Sequence, residues 1–271
     1  GDDALVLPLM AVGGVGVAFG AKLVALKVFP DDGNGATDED ILPAIDYARV
    51  NGLDIVNMSL GRGGDISAVM TIALQAAIAA GTLFVAAAGN GGTDGAGDNN
   101  DETPLWPANY AAVPETQDGV ISVAASDQAD YLASFSNYGP TTVTIAAPGV
   151  NIHSTVTNDS SGTDDYDFFA GTSMASPIVA GVAALVKQAW PTFTPAQIKQ
   201  RLVASGDTAP NIGCDVASGK RVNAYNAVVG NLTPTPCGAV ASLVSGGSTG
   251  FFGQGSTCLV TWLTADYVPR G

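Results

Sequence analysis

Three apolar, β-rich runs alternate with two stretches of helical spacing, and this alternation restricts the fold more than any other feature of the chain. The runs cover residues 22–28, 54–60 and 82–87, and the helical stretches cover residues 38–51 and 66–80. Strands that are apolar on both faces and joined by helices are typical of a parallel sheet covered on both sides. The sequence therefore predicts the α/β class.

The remaining elements extend the same pattern. Further strands are expected at residues 120–124 and 142–145, and Asp38 is interpreted as the N-cap of the first helix. Residues 173–190 are Ala-rich and mostly apolar, which predicts a helix buried in the centre of the domain. Another helix is expected after Thr194, which is followed by a proline suited to the first helical turn.

Three short motifs are expected at one edge of this sheet, because right-handed crossovers bring the carboxyl ends of parallel strands together. The sequence GTSMASP at 171–177 opens the buried helix, AAAGNGG at 86–92 follows the third run, and NMSLG at 57–61 ends the second. A serine at a helix start has an exposed hydroxyl in a field that favours negative charge, although an ordinary helix cap is the alternative. An Asn between glycines could donate to an oxyanion, or be a common turn residue.

In this order and spacing, the motifs resemble the subtilisin-like (subtilase, peptidase S8) serine endopeptidases. Smaller matches are GAKLVALKVF, SFSNYGP, APGVNIHST and GKRVNAYNAV, and together they cover about residues 15–230. The resemblance implies a three-layer, parallel-sheet subtilisin-like fold that is N-terminally incomplete. It divides the chain into a peptidase domain at residues 1–230 and a linker with a short extension at residues 231–271.

The resemblance also implies roles for individual residues. Ser173 would be the nucleophile, and Asn90 would form the oxyanion hole with the backbone N–H of Ser173. The backbone of the substrate would pair with Ser59, Leu60 and Gly61. A second segment would line the pocket for the substrate side chain that precedes the scissile bond, with room for a sizeable apolar group; its residues are Ala87, Ala88 and Gly89.

The chain departs from the family at the other two members of the triad. Neither the Asp motif nor the His motif of subtilases occurs, and the only histidine, His153, falls where the family has a strand remote from the nucleophile. Asp31, Asp32, Asp38 and Asp40 are interpreted as loop and helix-start acids. The expectation is a poorly active, incomplete peptidase; a non-catalytic peptide-binding relative and an enzyme with an unrecognised base are the alternatives.

Composition bounds the partners. The formal charge of −15 argues against nucleic acid, and no apolar stretch is long enough for a membrane span. The expected protein is a secreted monomer that acts on polypeptides. Its three cysteines (Cys214, Cys237, Cys258) are interpreted as one disulfide with one thiol left over, or as free buried thiols. No metal is expected to be required for the chemistry. Members of the family often bind structural calcium, and residues 106–110 resemble a segment whose carbonyl oxygens could bind such an ion.

In the family, the segment that carries the Asp and His motifs also contributes strands to the sheet. Without that segment, we expect one or more apolar strands to have an exposed edge. We hypothesise that residues 4–19 cover part of that surface.

Overall fold

The computed structural model describes residues 16–31, 33–156, 165–230 and 258–261. Ten strands are present among these residues: β1 Lys22–Val24, β2 Ile55–Met58, β3 Leu83–Ala87, β4 Val120–Ser126, β5 Ile145–Pro148, β6 Ile152–Val156, β7 Asp165–Phe169, β8 Asp207–Thr208, β9 Lys220–Arg221 and β10 Cys258–Thr261. The helices are α1 Asp38–Val50, α2 Ala68–Ala79, α3 Thr172–Ala189, α4 Pro195–Ser205 and α5 Ala224–Val229, with 3₁₀ turns at Ala108–Ala112 and Gln117–Gly119.

Eight strands form one twisted sheet in the order β1-β10-β2-β3-β4-β5-β9-β8. All neighbouring pairs are parallel except β8 with β9, and β6 and β7 form a separate antiparallel hairpin. Every residue of β2, β3 and β4 is buried, as expected for strands covered on both faces. The predicted parallel α/β sheet is confirmed.

Alternate side chains of the central strands enter two different cores, because successive strand residues point to opposite faces. Leu83 and Val85 of β3 pack with the apolar residues of α3, α4 and α5. Phe84 and Ala86 pack on the other face with α1 and α2. Helices therefore cover both faces, and the predicted three-layer architecture is confirmed.

Local boundaries differ from the sequence predictions in three places. The cap of α1 is Thr37 rather than Asp38, because the Asp40 carboxylate accepts hydrogen bonds from the backbone N–H and the hydroxyl of Thr37 at 2.8 and 2.7 Å. The strand expected at 142–145 lies at Ile145–Pro148, where its backbone pairs with β4. β1 ends at Val24, so residues 25–28 of the predicted run lie outside the sheet.

β10 fills the position between β1 and β2. Leu259 stands in register with Leu23 on one side and with Ile55 on the other. The facing edges of β1 and β2 are therefore paired with a strand from the C-terminal extension, whereas the outer edge of β1 has no partner among the described strands. Of residues 4–19, only 16–19 are described: Ala18 packs on the core beside α3, whereas Phe19 is 83% exposed. The part of the hypothesis that concerns residues 4–15 lies outside the described residues.

Across the described residues, no helix combines the length and apolar character needed to cross a membrane.

Candidate active site

Ser173 is the second residue of α3, the helix that runs beneath the sheet. Gly171 is the N-cap, and the helix buries ten residues, many of them alanine and valine. The first N–H groups of a helix have no intrahelical acceptor, so that of Ser173 is available at its N-terminus, while that of Thr172 donates to Asn90. The side chain of Ser173 is half-buried. A partly open hydroxyl thus lies at the positive end of the helix dipole.

Asn90 lies directly against this helix start. Its Oδ1 accepts hydrogen bonds from the backbone N–H of Thr172 at 2.8 Å and from the Thr172 hydroxyl at 2.9 Å. The Thr172 hydroxyl in turn accepts from the backbone N–H of Gly89 at 3.1 Å. Because the oxygen of the Asn90 amide is held by two donors, its Nδ2 group is directed away from them and can donate to another acceptor.

A buried polar network holds the backbone of Ser173 from below. The Ser59 hydroxyl donates to the Ser173 carbonyl oxygen at 2.8 Å and accepts from Asn57 Nδ2 at 2.9 Å. Asn57 Oδ1 accepts from the Ser176 hydroxyl at 2.6 Å, and both Asn57 and Ser176 are completely buried. The end of β2 is thereby fixed to the first turn of α3.

The two proposed substrate segments leave their strands side by side. β2 and β3 are paired in register up to Met58 and Ala86, so Ser59 to Gly61 and Ala87 to Gly89 follow the same edge. Gly61 is exposed, Leu60 and Gly89 are half-buried, and Ser59, Ala87 and Ala88 are buried. The Ala88 side chain packs in a third small core with Ala124 and Val143.

Gly89 is the position of this edge that demands glycine. Its φ is +112°, and a methyl carbon placed on it would lie 2.5 Å from Asn137 Nδ2. Asn137 also accepts from the backbone N–H groups of Gly91 and Asp98, at 2.7 and 3.0 Å. Asn137 thus fixes the loop that presents Asn90.

An apolar cavity of about 200 Å³ opens beside Leu60. Its wall includes Met58, Ile41 and Trp106. Arg62 forms two backbone hydrogen bonds with Trp106, each 2.8 Å long, and its guanidinium contacts the carboxylate of Asp38 at 3.2 Å. This arrangement joins the loop after Leu60 to the start of α1.

In the part of the chain that the structure describes, no acid–base side chain is hydrogen-bonded to Ser173. Among the residues that it describes, none forms a hydrogen bond with the Ser173 hydroxyl. His153 lies on β6, where its ring packs against Tyr166 and Phe168 at centroid distances of 5.2 and 4.8 Å.

The acidic residues singled out from the sequence have other partners. Asp31 pairs with Lys27, Asp38 with Arg62, and Asp40 accepts hydrogen bonds from Thr37, the cap of α1. Asp32 lies outside the described residues.

The model of the subtilase family matches residues 6–233. This chain belongs to the subtilase family. It is 42% identical over 192 residues to a thermostable alkaline protease of Halalkalibacterium halodurans, which corresponds to 71% of this chain and 47% of that protein. It is 40% identical over 208 residues to subtilisin DY of Bacillus licheniformis, or 77% of this chain and 68% of that protein.

A solved structure extends the likeness to the fold. Proteases from Pseudoalteromonas arctica PAMC 21717 superpose with a TM-score of 0.66 and 34% identity, covering 79% of this chain and 64% of that one. An extracellular protease of Xanthomonas campestris is 37% identical over 229 residues, 80% of this chain and 37% of that protein. Several of these relatives are much longer, and the chain spans about half the length of the thermostable alkaline protease.

Four residues of the subtilase site were not singled out from the sequence: Asn57, Thr172, Ser176 and Asn137. Three of them lie inside the motifs at 57–61 and 171–177, and Asn137 lies in SFSNYGP. Their signal was a polar side chain placed where the local pattern requires burial, because such a group needs a hydrogen-bond partner from elsewhere in the fold.

Residues 106–110 do not fit a calcium site well. The carbonyl oxygens of Trp106, Pro107 and Tyr110 already accept hydrogen bonds from other protein groups. Close by, the Lys199 ammonium donates to the carbonyls of Ala111, Gln117 and Val120 at 3.4, 2.6 and 2.8 Å. No cluster of three or more acidic, His or Cys side chains occurs in the described part of the chain. Structural calcium therefore stays a prediction without an assigned site.

The cysteine pairing is settled for one residue. Cys214 is free and exposed. Cys237 lies outside the described residues, and the side chain of Cys258 is not described.

Proposed function

We propose that this chain supplies the nucleophile, the oxyanion donors and the peptide-pairing edge of a serine endopeptidase site, and that it hydrolyses peptides poorly by itself. The observation that carries the proposal is the linked arrangement of Ser173, Asn90 and Ser59 at one edge of the sheet. Family membership supports the chemistry, since subtilases are serine proteases.

In this mechanism an extended peptide pairs with Ser59, Leu60 and Gly61 and places its scissile carbonyl above Ser173. Attack by the Ser173 oxygen moves negative charge to the carbonyl oxygen. Asn90 Nδ2 and the Ser173 N–H are the donors for that charge, and the helix dipole adds to them. Loss of such an Asn costs about 10²–10³ in rate, a value that comes from subtilisin itself.

The attacking hydroxyl must transfer its proton to a base. Within the 271 residues, His153 is the only histidine, and its ring packs against two aromatic side chains on a hairpin. In subtilisin, loss of the histidine or the serine alone lowers turnover by about 2 × 10⁶. We therefore expect Ser173 to remain protonated and unreactive in this chain.

Peptide binding without hydrolysis is the second candidate function. The hydrogen bonds that hold Asn90 and Ser59 do not depend on a base, so the binding edge is complete without one. The cavity beside Leu60 offers an apolar side chain of the peptide a partly open apolar site. We propose further that the protein is secreted, which the name of the extracellular Xanthomonas relative supports. We also propose that it acts as a monomer, and light scattering during gel filtration tests this oligomeric state.

A fluorophosphonate probe, read by intact mass, tests the state of Ser173. We expect no labelling of the protein alone, but slow labelling when free imidazole is added at pH 8 as an external base. Ser173→Ala should abolish the rescued labelling, and Asn90→Ala should slow it by about 10²-fold because an oxyanion donor is lost.

Rapid labelling without imidazole would show that the chain contains its own base and would overturn the unarmed-nucleophile proposal. Absence of labelling even with imidazole would favour the peptide-binding function over the catalytic one.

A further inference from the structure

Pro177 removes one hydrogen bond from the first turns of α3, and that bond belongs to the residue of the proposed nucleophile. In a regular α-helix the carbonyl oxygen of Ser173 would accept from the backbone N–H four residues later. That residue is Pro177, which lies inside the helix and has no N–H. The Ser173 carbonyl oxygen therefore lacks its regular donor within α3 and needs one from elsewhere in the fold.

The Ser59 hydroxyl supplies that donor. Its Oγ lies 2.8 Å from the Ser173 carbonyl oxygen, although the two residues are 114 positions apart in the chain. Ser59 Oγ accepts from the Asn57 amide nitrogen at 2.9 Å, so its own proton is left to donate to the carbonyl. Asn57 Oδ1 accepts in turn from the Ser176 hydroxyl at 2.6 Å. All three hydrogen bonds therefore run in one direction, toward Ser173.

Ser59 also begins the segment with which an extended peptide would pair. The backbone of Ser173 is thus bonded directly to the surface that aligns the substrate, where a regular helix would bond it to the next turn. Attack on a carbonyl carbon requires reacting atoms about 3–3.5 Å apart, and a displacement of about 1 Å can lower the rate about 10²-fold. A bond between the aligning segment and the residue of the nucleophile restricts such a displacement.

We propose that Ser59 is a positioning residue, whose hydroxyl replaces the helical donor missing at Pro177 and thereby holds Ser173 in place relative to a bound peptide. The side chain acts through the Ser173 backbone. The proposal rests on the proposed peptidase function and adds to it a role for the Ser59 side chain, distinct from the backbone pairing of residues 59–61. Reactivity should then depend on which group donates to the carbonyl, whereas stability should depend only on whether a donor is present.

NMR on the full chain tests the hydrogen bond itself. Ser173–Met174 is the only place in the 271 residues where serine precedes methionine, so ¹³C at serine carbonyls and ¹⁵N in methionine give a single carbonyl-correlated cross-peak. A carbonyl carbon resonance moves upfield when a hydrogen bond to its oxygen is lost. We expect this shift in Ser59→Ala and none in Ser205→Ala. Ser205 is the matched control, because its buried hydroxyl donates to another helical carbonyl, that of Arg201, at 2.7 Å.

A double-mutant cycle separates positioning from structural support. Pro177→Ala gives position 177 an N–H that can bond the Ser173 carbonyl within the helix. Urea denaturation should therefore show a smaller loss of stability from Ser59→Ala in the Pro177→Ala background than in the wild type. Imidazole-rescued labelling by the fluorophosphonate should behave differently: Ser59→Ala should slow it by about 10-fold or more in both backgrounds, and Ser205→Ala should leave it unchanged.

Recovery of the labelling rate together with stability in the double variant would overturn the positioning role, because any donor to the carbonyl would then suffice. An unchanged carbonyl resonance in Ser59→Ala would overturn the hydrogen bond on which the proposal depends. Absence of labelling in the wild-type protein, even with imidazole, would instead overturn the proposed catalytic function and the positioning role with it, while a shifted carbonyl resonance would still demonstrate the bond.

Discussion

Two parts of the sheet, the strands β2 and β3 beside α3 and the strand β1, are built differently. β2 and β3 are each paired with a strand on both sides, and the polar side chains beneath Ser173 are hydrogen-bonded to one another in the interior. On the side of β1, three residues pair only with β10 among the described strands, and Leu23 is 69% exposed. The residues with proposed chemistry all lie on the first side.

The difference teaches where positional accuracy comes from in this fold. A buried polar group that loses its partner costs free energy, so a network such as Asn57, Ser59 and Ser176 permits few alternative arrangements. An exposed short strand has no comparable penalty for small displacements. The following substitutions test this comparison by acting on one side or the other.

Asn57→Leu should have the largest effect. It leaves the hydroxyls of Ser59 and Ser176 with fewer partners in the interior, and we expect the free energy of unfolding to fall by about 4 kcal/mol. Urea denaturation measures it. Leu23→Ala on β1 should change it by no more than about 0.5 kcal/mol. Similar losses for both variants would contradict the comparison.

Lys199 ties the two 3₁₀ turns to α4, and burial lowers its pKa to about 8. Because the unfolded chain keeps the proton up to about pH 10.5, it binds more protons than the folded state between pH 8 and 10.5. The contribution of this group to stability therefore rises with pH across that window, by at most about 3 kcal/mol.

Urea denaturation at several pH values gives the free energy of unfolding of the wild-type protein and of Lys199→Met. The difference between the two free energies should change with pH across that window. Leu23→Ala on β1 removes no titratable group, so it is the control and should give a difference that does not depend on pH. A flat difference for Lys199→Met would mean that Lys199 keeps its proton throughout.

Gly89→Ala should cost about 2 kcal/mol, because the methyl group meets Asn137 and Leu105 and the backbone has a positive φ. Gly20→Ala, near β1, meets no atom within 4 Å and should be neutral. Thermal unfolding followed by circular dichroism distinguishes them. If Gly89→Ala proves as harmless as Gly20→Ala, the edge is more adaptable than we describe.

Val260→Pro should have the smallest effect on the free energy of unfolding, and its effect should be confined to the strands next to β10. Proline removes a backbone donor from β10, and β1 has no second described neighbour to compensate, whereas β2 keeps β3. We expect amide exchange in Lys22–Val24 to speed up by about 10-fold and exchange in Ile55–Met58 to change less, as measured by mass spectrometry. Val260→Ala keeps the backbone donor and is the control. Unchanged exchange in β1 would show that β10 does not support it.

Local sequence pattern predicted much of the sheet, because periodicity and turn residues act over a few neighbours. It correctly gave the parallel strands, the central helix and the α4 cap at Thr194. It misplaced the strand at Ile145–Pro148 by about three residues, since pairing with β4, rather than the run of β-branched residues at 142–145, decides where that strand lies.

The sequence by itself determined the α/β class, the family and the edge residues to which we assign chemistry. The tertiary structure decided which way Asn90 faces, through two donors of Thr172, and which strand lies between β1 and β2. It also decided that Leu105 stands between Gly61 and Gly89. Each of these facts depends on contacts between segments far apart in the chain, and no local preference encodes which distant surface a side chain will meet.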